Sequence, residues 1–331
     1  MALAFDLQAH SMCSDGTLSP AEVVDRAAQA GVELLALSDH DTVAGVSEAI
    51  AAGESAGVRV VSAVEISSID DPAAEAGGGN GTSGKGGFDG EGPSTPGPST
   101  SGPSPSAPGP SATRPARELH ILGYGIDHSG PPLTDRLGEF LADREQRTLR
   151  MRDALREVGF ELDEAEIEQR IAEGKPIGRP HLAEAVLRAP TNAQRLRDED
   201  IEDVGSLIRG YLIEGKPAFR LRETPTVAEA IEAIHDAGGV AVWAHPFWDV
   251  EDPQEVLAMI DRFRALGIDG VEAFYVTHTR EQTELLAARC AELGLLSTGS
   301  SDFHGPDNKL FSRFLAHETY GLEPNLGPIA I

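Results

Sequence analysis

The chain has 331 residues, 40% of them hydrophobic, enough to bury a sizeable core in one large domain or two smaller ones. With 27 basic against 54 acidic residues its formal charge is −27, which excludes a surface that holds long nucleic acid or an anionic membrane by bulk electrostatics. Cys13 and Cys290 are too few for a disulfide framework, and no apolar run approaches the roughly 18 residues of a membrane span, so the expected location is the cytoplasm.

The alternating apolar residues Leu3, Phe5 and Leu7 predict a short opening strand, and "FDLQAHSMCSDG" delivers Asp6, Gln8, His10 and Asp15 along and just beyond it. "SPAEVVDRAAQAG" then predicts a helix with Ser19 as N-cap, Pro20 at its first position, Glu22 completing a capping box and Gly31 at its end. "VELLALSDHD" reads as a buried strand, "TVAGVSEAIAAGESAG" as a helix and "VRVVSAVEIS" as another strand. Residues 77–113 are almost purely Gly, Ser, Pro and Thr, a composition that buries too little apolar surface to offset ordering entropy and predicts a disordered loop. "ELHILGYG" follows, and residues 134–222 carry helical periodicity without a strand pattern, predicting a small helical cap inserted into the sheet domain (1–133 and 223–331). The alternation then resumes with "GVAVWAHP", a helix over 256–266, "IDGVEAFY", a helix over 280–293 and "LLSTGSSDFH". Short apolar strands separated by amphipathic helices imply an α/β fold with a parallel sheet, barrel-like or doubly wound.

Ionisable residues recur at the carboxyl ends of these strands: His10 and Asp15, then His40, Glu65, His120, His245, Asp302 and His304. In parallel α/β folds those ends converge on one face, so residues distant in sequence are expected to meet there. Imidazoles and carboxylates without thiolate suit zinc, manganese or iron, and these positions are too many for one four-coordinate ion. A cluster of two or three divalent ions bridged by Glu65 is therefore expected. Such a cluster lowers the pKa of a bound water and clamps the attacking and leaving oxygens of a phosphoryl group. Asp6, Asp39 and Asp41 are candidates for orienting these groups, whereas His128, His235 and His317 read as surface residues.

Taken together and in order, "DLQAHSMCSDG", "ALSDHD", "VEIS", "HILGYG", "AHP" and "GSSDFHG" resemble the PHP (polymerase and histidinol phosphatase) family, particularly its standalone nucleotide phosphoesterases. The resemblance implies a distorted (β/α)7 barrel and a trinuclear centre. Position 8 and His10 with Glu65 and Asp302 would hold one ion, Glu65, His120 and His245 the second, and Asp15, His40 and His304 the third. Gln8 stands where the family pattern has histidine; its neutral oxygen is a weaker donor than imidazole for zinc-like ions, so a harder ion such as manganese, or a labile one, is expected there. By the same resemblance Arg179 and His181 in the cap bind substrate phosphate, with His278 a further candidate. The implied activity is hydrolysis of nucleotide phosphomonoesters, mono- or 3′,5′-bisphosphates or short RNA 5′ ends, by a hydroxide held on the metals. Histidinol-phosphate phosphatase and 5′-to-3′ oligonucleotide exonuclease are the alternatives within that chemistry. Outside it stand a non-catalytic nucleotide-binding module with a degraded first site and a scaffold that works through the Gly/Ser/Pro loop.

Overall fold

A computed structural model of the chain describes residues 3–71, 116–173, 175, 177–213 and 215–331; the Gly/Ser/Pro stretch expected to be disordered lies outside the described residues. Local sequence accounts for much of the scaffold. Ser19 and Glu22 form a reciprocal capping box that starts the helix Pro20–Ala30, and Gly31 ends it in the left-handed conformation at φ 85°. Thr226 and Thr279 cap the helices Val227–Asp236 and Arg280–Leu293 in the same way.

Seven strands pair in chain order: β1 (Phe5–Asp6), β2 (Leu34–Leu37), β3 (Arg59–Asp70), β4 (Arg117–Tyr124), β5 (Val240–Trp243), β6 (Gly270–Tyr275) and β7 (Leu296–Ser300). The ends of the sheet meet, because the Leu7 amide donates to Gly299 O at 3.2 Å and the His10 amide to Phe303 O at 2.8 Å. The result is a closed, barrel-shaped sheet. One expectation is corrected here: the sheet is mixed, with β4 antiparallel to both β3 and β5. His120 therefore sits in the first half of its strand, not at its carboxyl end, and the reversal of β4 is what brings it to the same rim as the others.

The period-2 alternation of strands explains what the barrel encloses. Val64, Ile66, Leu119, Ile121, Trp243, Val271 and Ala273 face outward into one apolar layer with the helices Val227–Asp236, Pro253–Leu266 and Arg280–Leu293. Ala63, Leu122, Tyr124 and Val242 join Leu7, Leu34 and Ala36 in a separate cluster, crossed by the Tyr124 hydroxyl, which donates to Leu7 O at 2.9 Å. Glu65 lies between Val64 and Ile66, His120 between Leu119 and Ile121, and Glu272 between Val271 and Ala273, so alternation turns all three inward.

Residues 131–212 are mainly helical, beginning with the long helix Pro131–Glu157 and continuing through Arg179–Arg188, and Met151, Leu155, Phe160, Leu182, Val186, Leu207 and Leu212 give them an apolar cluster of their own. Arg222 ties this segment to the barrel. Its side chain is fully buried, pairing with Asp41 at 2.9 Å and Asp143 at 3.2 Å and donating to Phe140 O at 2.6 Å. Arg144 reaches Asp41 as well, at 3.3 Å. Burial pushes the Asp41 carboxyl up, but Arg222 and Arg144 outweigh it and hold it below the usual carboxylate range. Its stabilising contribution is thus fully present above about pH 3.9 and is lost as the pH falls through its lower folded value. Replacing Arg222 with Met strands Asp41 in a dry site and is expected to cost about 3–5 kcal/mol in urea unfolding at neutral pH; an unfolding midpoint equal to the parent's would show that the pair contributes nothing.

Candidate metal centre

Glu65 is 1% exposed at the middle of the cluster. Its Oε1 lies 2.6 Å from His120 Nδ1 and 3.2 Å from His245 Nε2; its Oε2 lies 3.0 Å from His10 Nε2 and 3.5 Å from His40 Nδ1. His10 Nε2 is also 3.1 Å from Asp302 Oδ1. Asp15 completes the group, 3.7 Å from His40 Nε2 and 3.5 Å from His304 Nε2. All eight imidazole and carboxylate residues expected from the motifs are thus brought together.

Three sets of donor atoms converge closely enough to share an ion: His10, Asp15, His40 and His304; His40, Glu65 and His120; and His10, Glu65 and Asp302. Two ligands about 2.1 Å from one tetrahedral ion lie roughly 3.4 Å apart, within the spread of these separations. The unsatisfied atoms point the same way, for His10 Nε2, His40 Nδ1, Glu65 Oε2, His120 Nδ1 and Asp302 Oδ1 are buried without a hydrogen-bond partner. Buried polar atoms left unpaired are costly, and cations shared within these sets would satisfy them. The donor set therefore fits divalent metal.

The electrostatics of the protein alone are those of a site that exchanges protons for cations. Burial raises the Glu65 carboxyl, yet the charges of His40 and His120 and the close approach of the His10 and His120 rings bring it well below its ordinary value. Burial likewise opposes the charge of Asp15, and His40 and His304 more than compensate. Among the imidazoles, burial takes His40 down to about 3, whereas for His245 the hydrogen bond to Glu65 and the charge of Asp249 overcome burial and lift it to about 10.

Three aspartates fix the loops that carry these groups. Asp39 accepts from the Ser11 amide at 2.7 Å, Ser11 Oγ at 2.7 Å and Ser14 Oγ at 2.6 Å, pinning the turn between His10 and Asp15. Gly16 is required in that turn, since a Cβ there would stand 2.3 Å from His10 O. Asp6 accepts from Ser301 N and Oγ and from Leu315 N, holding the segment before Asp302. Asp41 accepts from Ser67 N at 3.0 Å and carries the two arginines described above. Asp41, His245 and Asp302 have φ of 54°, 29° and 52°, an unusual backbone for residues with side chains, and each stands just past a strand where the chain turns into the centre.

Gln8 is fully buried. Its Oε1 lies 3.3 Å from Ser300 Oγ, but Ser300 donates its single proton more closely to Glu272 Oε1, at 2.6 Å, and Gln8 Nε2 has no partner. Turning the amide over would give Nε2 to Ser300 and leave the oxygen, an atom able to ligate a cation, where the unpartnered nitrogen stands. Glu272, which the motif reading missed, also accepts from the His245 amide at 2.9 Å, and burial pushes its carboxyl up to about 8. Tyr275 was missed as well; its hydroxyl donates to Asp302 Oδ2 at 2.8 Å. Both lie on β6, where an acidic or aromatic residue in an apolar strand was the available signal.

The candidate phosphate-binding residues differ among themselves. His181 Nδ1 accepts from the Gly178 amide at 3.1 Å, so its neutral ring carries the proton on Nε2, a donor suited to a phosphate oxygen. Arg179 lies 3.6 Å from Glu118, beside Arg147. His278 is buried with Nδ1 donating to Ala273 O at 3.1 Å, and burial lowers it to about 4, so its Nε2 is an unprotonated acceptor. Of the surface histidines, His317 differs from expectation: its ring packs 5.1 Å from Phe5 and faces Asp6.

A family model described as the PHP domain matches residues 6–122. Among curated proteins, a 5′-3′ exoribonuclease of Haemophilus influenzae is 31% identical over 306 residues, covering 92% of each chain. A phosphoribosyl 1,2-cyclic phosphate 1,2-diphosphodiesterase of Eggerthella lenta is 29% identical over 91% of this chain and 94% of its own. A 3′,5′-nucleoside bisphosphate phosphatase of Chromobacterium violaceum is 28% identical over 91% of this chain and 87% of its own. A solved structure from Chromobacterium violaceum, described as an amidohydrolase with bound sulfate and no metal, superimposes with a TM-score of 0.70 at 26% identity, over 98% of this chain and 93% of that one.

Because Glu65 belongs to two of the three donor sets, Glu65→Gln is expected to abolish most of the thermal stabilisation that the parent gains from manganese or zinc. That gain is about 2.7 kcal/mol at a hundredfold excess over the dissociation constant; an equal gain in the variant would place the ions elsewhere.

Proposed function

The chain belongs to the PHP family and is a hydrolase of phosphoester bonds, and from that premise we propose that it removes phosphate from phosphomonoesters of nucleotides with two to three divalent ions, manganese, zinc or iron, as cofactor. The observation that carries this reading is the convergence of unsatisfied imidazole and carboxylate atoms about Glu65, next to arginines supplied by the helical segment. That segment, residues 134–222, acts in this reading as a cap over the barrel rim.

When bound, the ions supply Lewis acidity and a water of lowered pKa. Gln8, His10, Glu65 and Asp302 would hold one; Glu65, His120 and His245 a second; Asp15, His40 and His304 a third. Arg179 offers a planar fork to the phosphoryl oxygens, and His181 Nε2–H a further donor. Glu118 steadies Arg179; burial raises its carboxyl, but Arg147 and Arg179 hold it well below the ordinary value, so it stays charged. Tyr275 and Asp249 orient Asp302 and His245, the latter across 3.7 Å.

Protein purified without chelator is expected to contain two to three ions per chain by mass spectrometry and to release phosphate from adenosine monophosphate or a 3′,5′-bisphosphate faster than from histidinol phosphate or a 5′-phosphorylated short RNA. Arg179→Ala should lower kcat/KM on the preferred substrate roughly ten- to a hundredfold, the worth of a charge-assisted hydrogen bond. No release from any of the four by the metal-replete protein would overturn the proposal.

The glutamine in place of imidazole leaves the His10, Glu65 and Asp302 position rich in oxygen donors, which favours a harder ion. Gln8→His is accordingly expected to tighten zinc at one site by calorimetric titration without adding a site. Unchanged isotherms would mean that Gln8 is remote from the ions.

A further inference from the structure

We propose that Trp248 and Phe311 form the platform on which the nucleobase of the substrate stacks. This deepens the phosphoesterase reading and rests on it. The chain has two tryptophans. Trp243 is fully buried in the core, whereas Trp248 is 51% exposed, unlike most tryptophans, which are largely buried. The exposed indole does not stand alone, for its ring centroid lies 5.6 Å from that of Phe311, with the planes at 60°.

Both residues are tied through the backbone to residues of the metal centre. The Trp248 amide donates to His245 O at 2.8 Å, and Phe311 O accepts from the His304 amide at 2.9 Å. The Phe311 ring stands 5.6 Å from the ring of His304 and 6.2 Å from that of Tyr275, whose hydroxyl holds Asp302. A phosphoester seated on the cluster therefore carries its organic part across this aromatic rim. Next to Phe311, Leu310 is 56% exposed and extends the apolar character of the segment.

The charge of the chain selects the occupant. At −27 a long polyanion is repelled, but a neutral planar ring stacks on an aromatic face without needing a cation. A nucleobase is the neutral planar group that a nucleotide phosphoester brings with it. Such a platform is tolerant of base identity, since every base has a π face, so discrimination is expected between nucleotides and sugar phosphates more than among nucleotides.

The test compares adenosine monophosphate with ribose 5-phosphate, which lacks the base, on the parent, Trp248→Ala and Trp248→Phe. Trp248→Ala is expected to lower the preference for adenosine monophosphate over ribose 5-phosphate, as a ratio of kcat/KM, on the order of ten- to a hundredfold, mainly through KM, and Trp248→Phe to restore most of it. In parallel, adenosine monophosphate should quench the exposed indole fluorescence of the parent, ribose 5-phosphate should not, and the quench should vanish in Trp248→Ala. An unchanged preference, or a quench that survives in Trp248→Ala, would overturn the platform. If the metal-replete parent hydrolyses neither compound, nor a 3′,5′-bisphosphate, histidinol phosphate or a 5′-phosphorylated short RNA, the phosphoesterase reading falls, while the fluorescence titration still decides whether the indole meets a base.

Discussion

The constraint on which this structure turns is a carboxylate inside a barrel. Glu65 sits between Val64 and Ile66 on a strand whose other face is packed against helices, so the alternation that builds the outer core also carries a charge into the interior. A lone buried carboxylate there is unfavourable by several kcal/mol. The chain answers with imidazoles from five separate segments, four of which approach Glu65 directly. Those rings then need orientation, and the aspartates at positions 6, 39 and 41 provide it through backbone amides and serine hydroxyls. Most of the buried polar inventory of the barrel follows from that first placement.

A second consequence concerns charge. A protein with twice as many acidic as basic residues has no general attraction for phosphate. Positive charge is instead concentrated where the helical segment meets the rim: Arg144 and Arg222 on Asp41, Arg147 and Arg179 on Glu118. These arginines neutralise buried carboxylates and at the same time stand next to the cluster. The same contacts thus join the helical segment to the barrel and shape the field over the site, and a substitution at Arg222 touches both.

The positive φ angles at Asp41, His245 and Asp302 show how the rim is made. Each stands past the end of a strand and redirects the chain so that a side chain near it enters the centre rather than continuing along the barrel wall. Such conformations are unfavourable by about 1–3 kcal/mol and persist only where surrounding contacts impose them. Here the contacts are the hydrogen bonds to Asp41 and to Glu272 and the ring contact of His245 with Tyr275.

By itself the sequence determined the local pieces: capped helices beginning at Pro20 and Arg280, buried strands such as Leu34–Leu37, and motifs that placed His10, Asp15, His40, Glu65, His245, Asp302 and His304 near strand ends. Those features are legible because capping and periodicity act over a few residues. The direction of β4 was not legible, since a strand of "RELHILGY" reads alike in either sense and only its pairing with β3 and β5 decides. Glu272 and Tyr275 escaped notice for a related reason, because their meaning comes from Ser300 and Asp302, more than 20 residues away in the chain. His317 looked like a surface residue until Phe5 and Asp6, some 300 residues earlier, were folded against it. The same limit applied to Trp248, whose exposure beside Phe311 exists only once the short helix Pro246–Asp249 meets the segment that carries Phe311. Local chemistry is written in neighbouring residues, whereas the partners of a buried charge or an exposed ring are set by long-range packing, and that is what the tertiary structure alone decided.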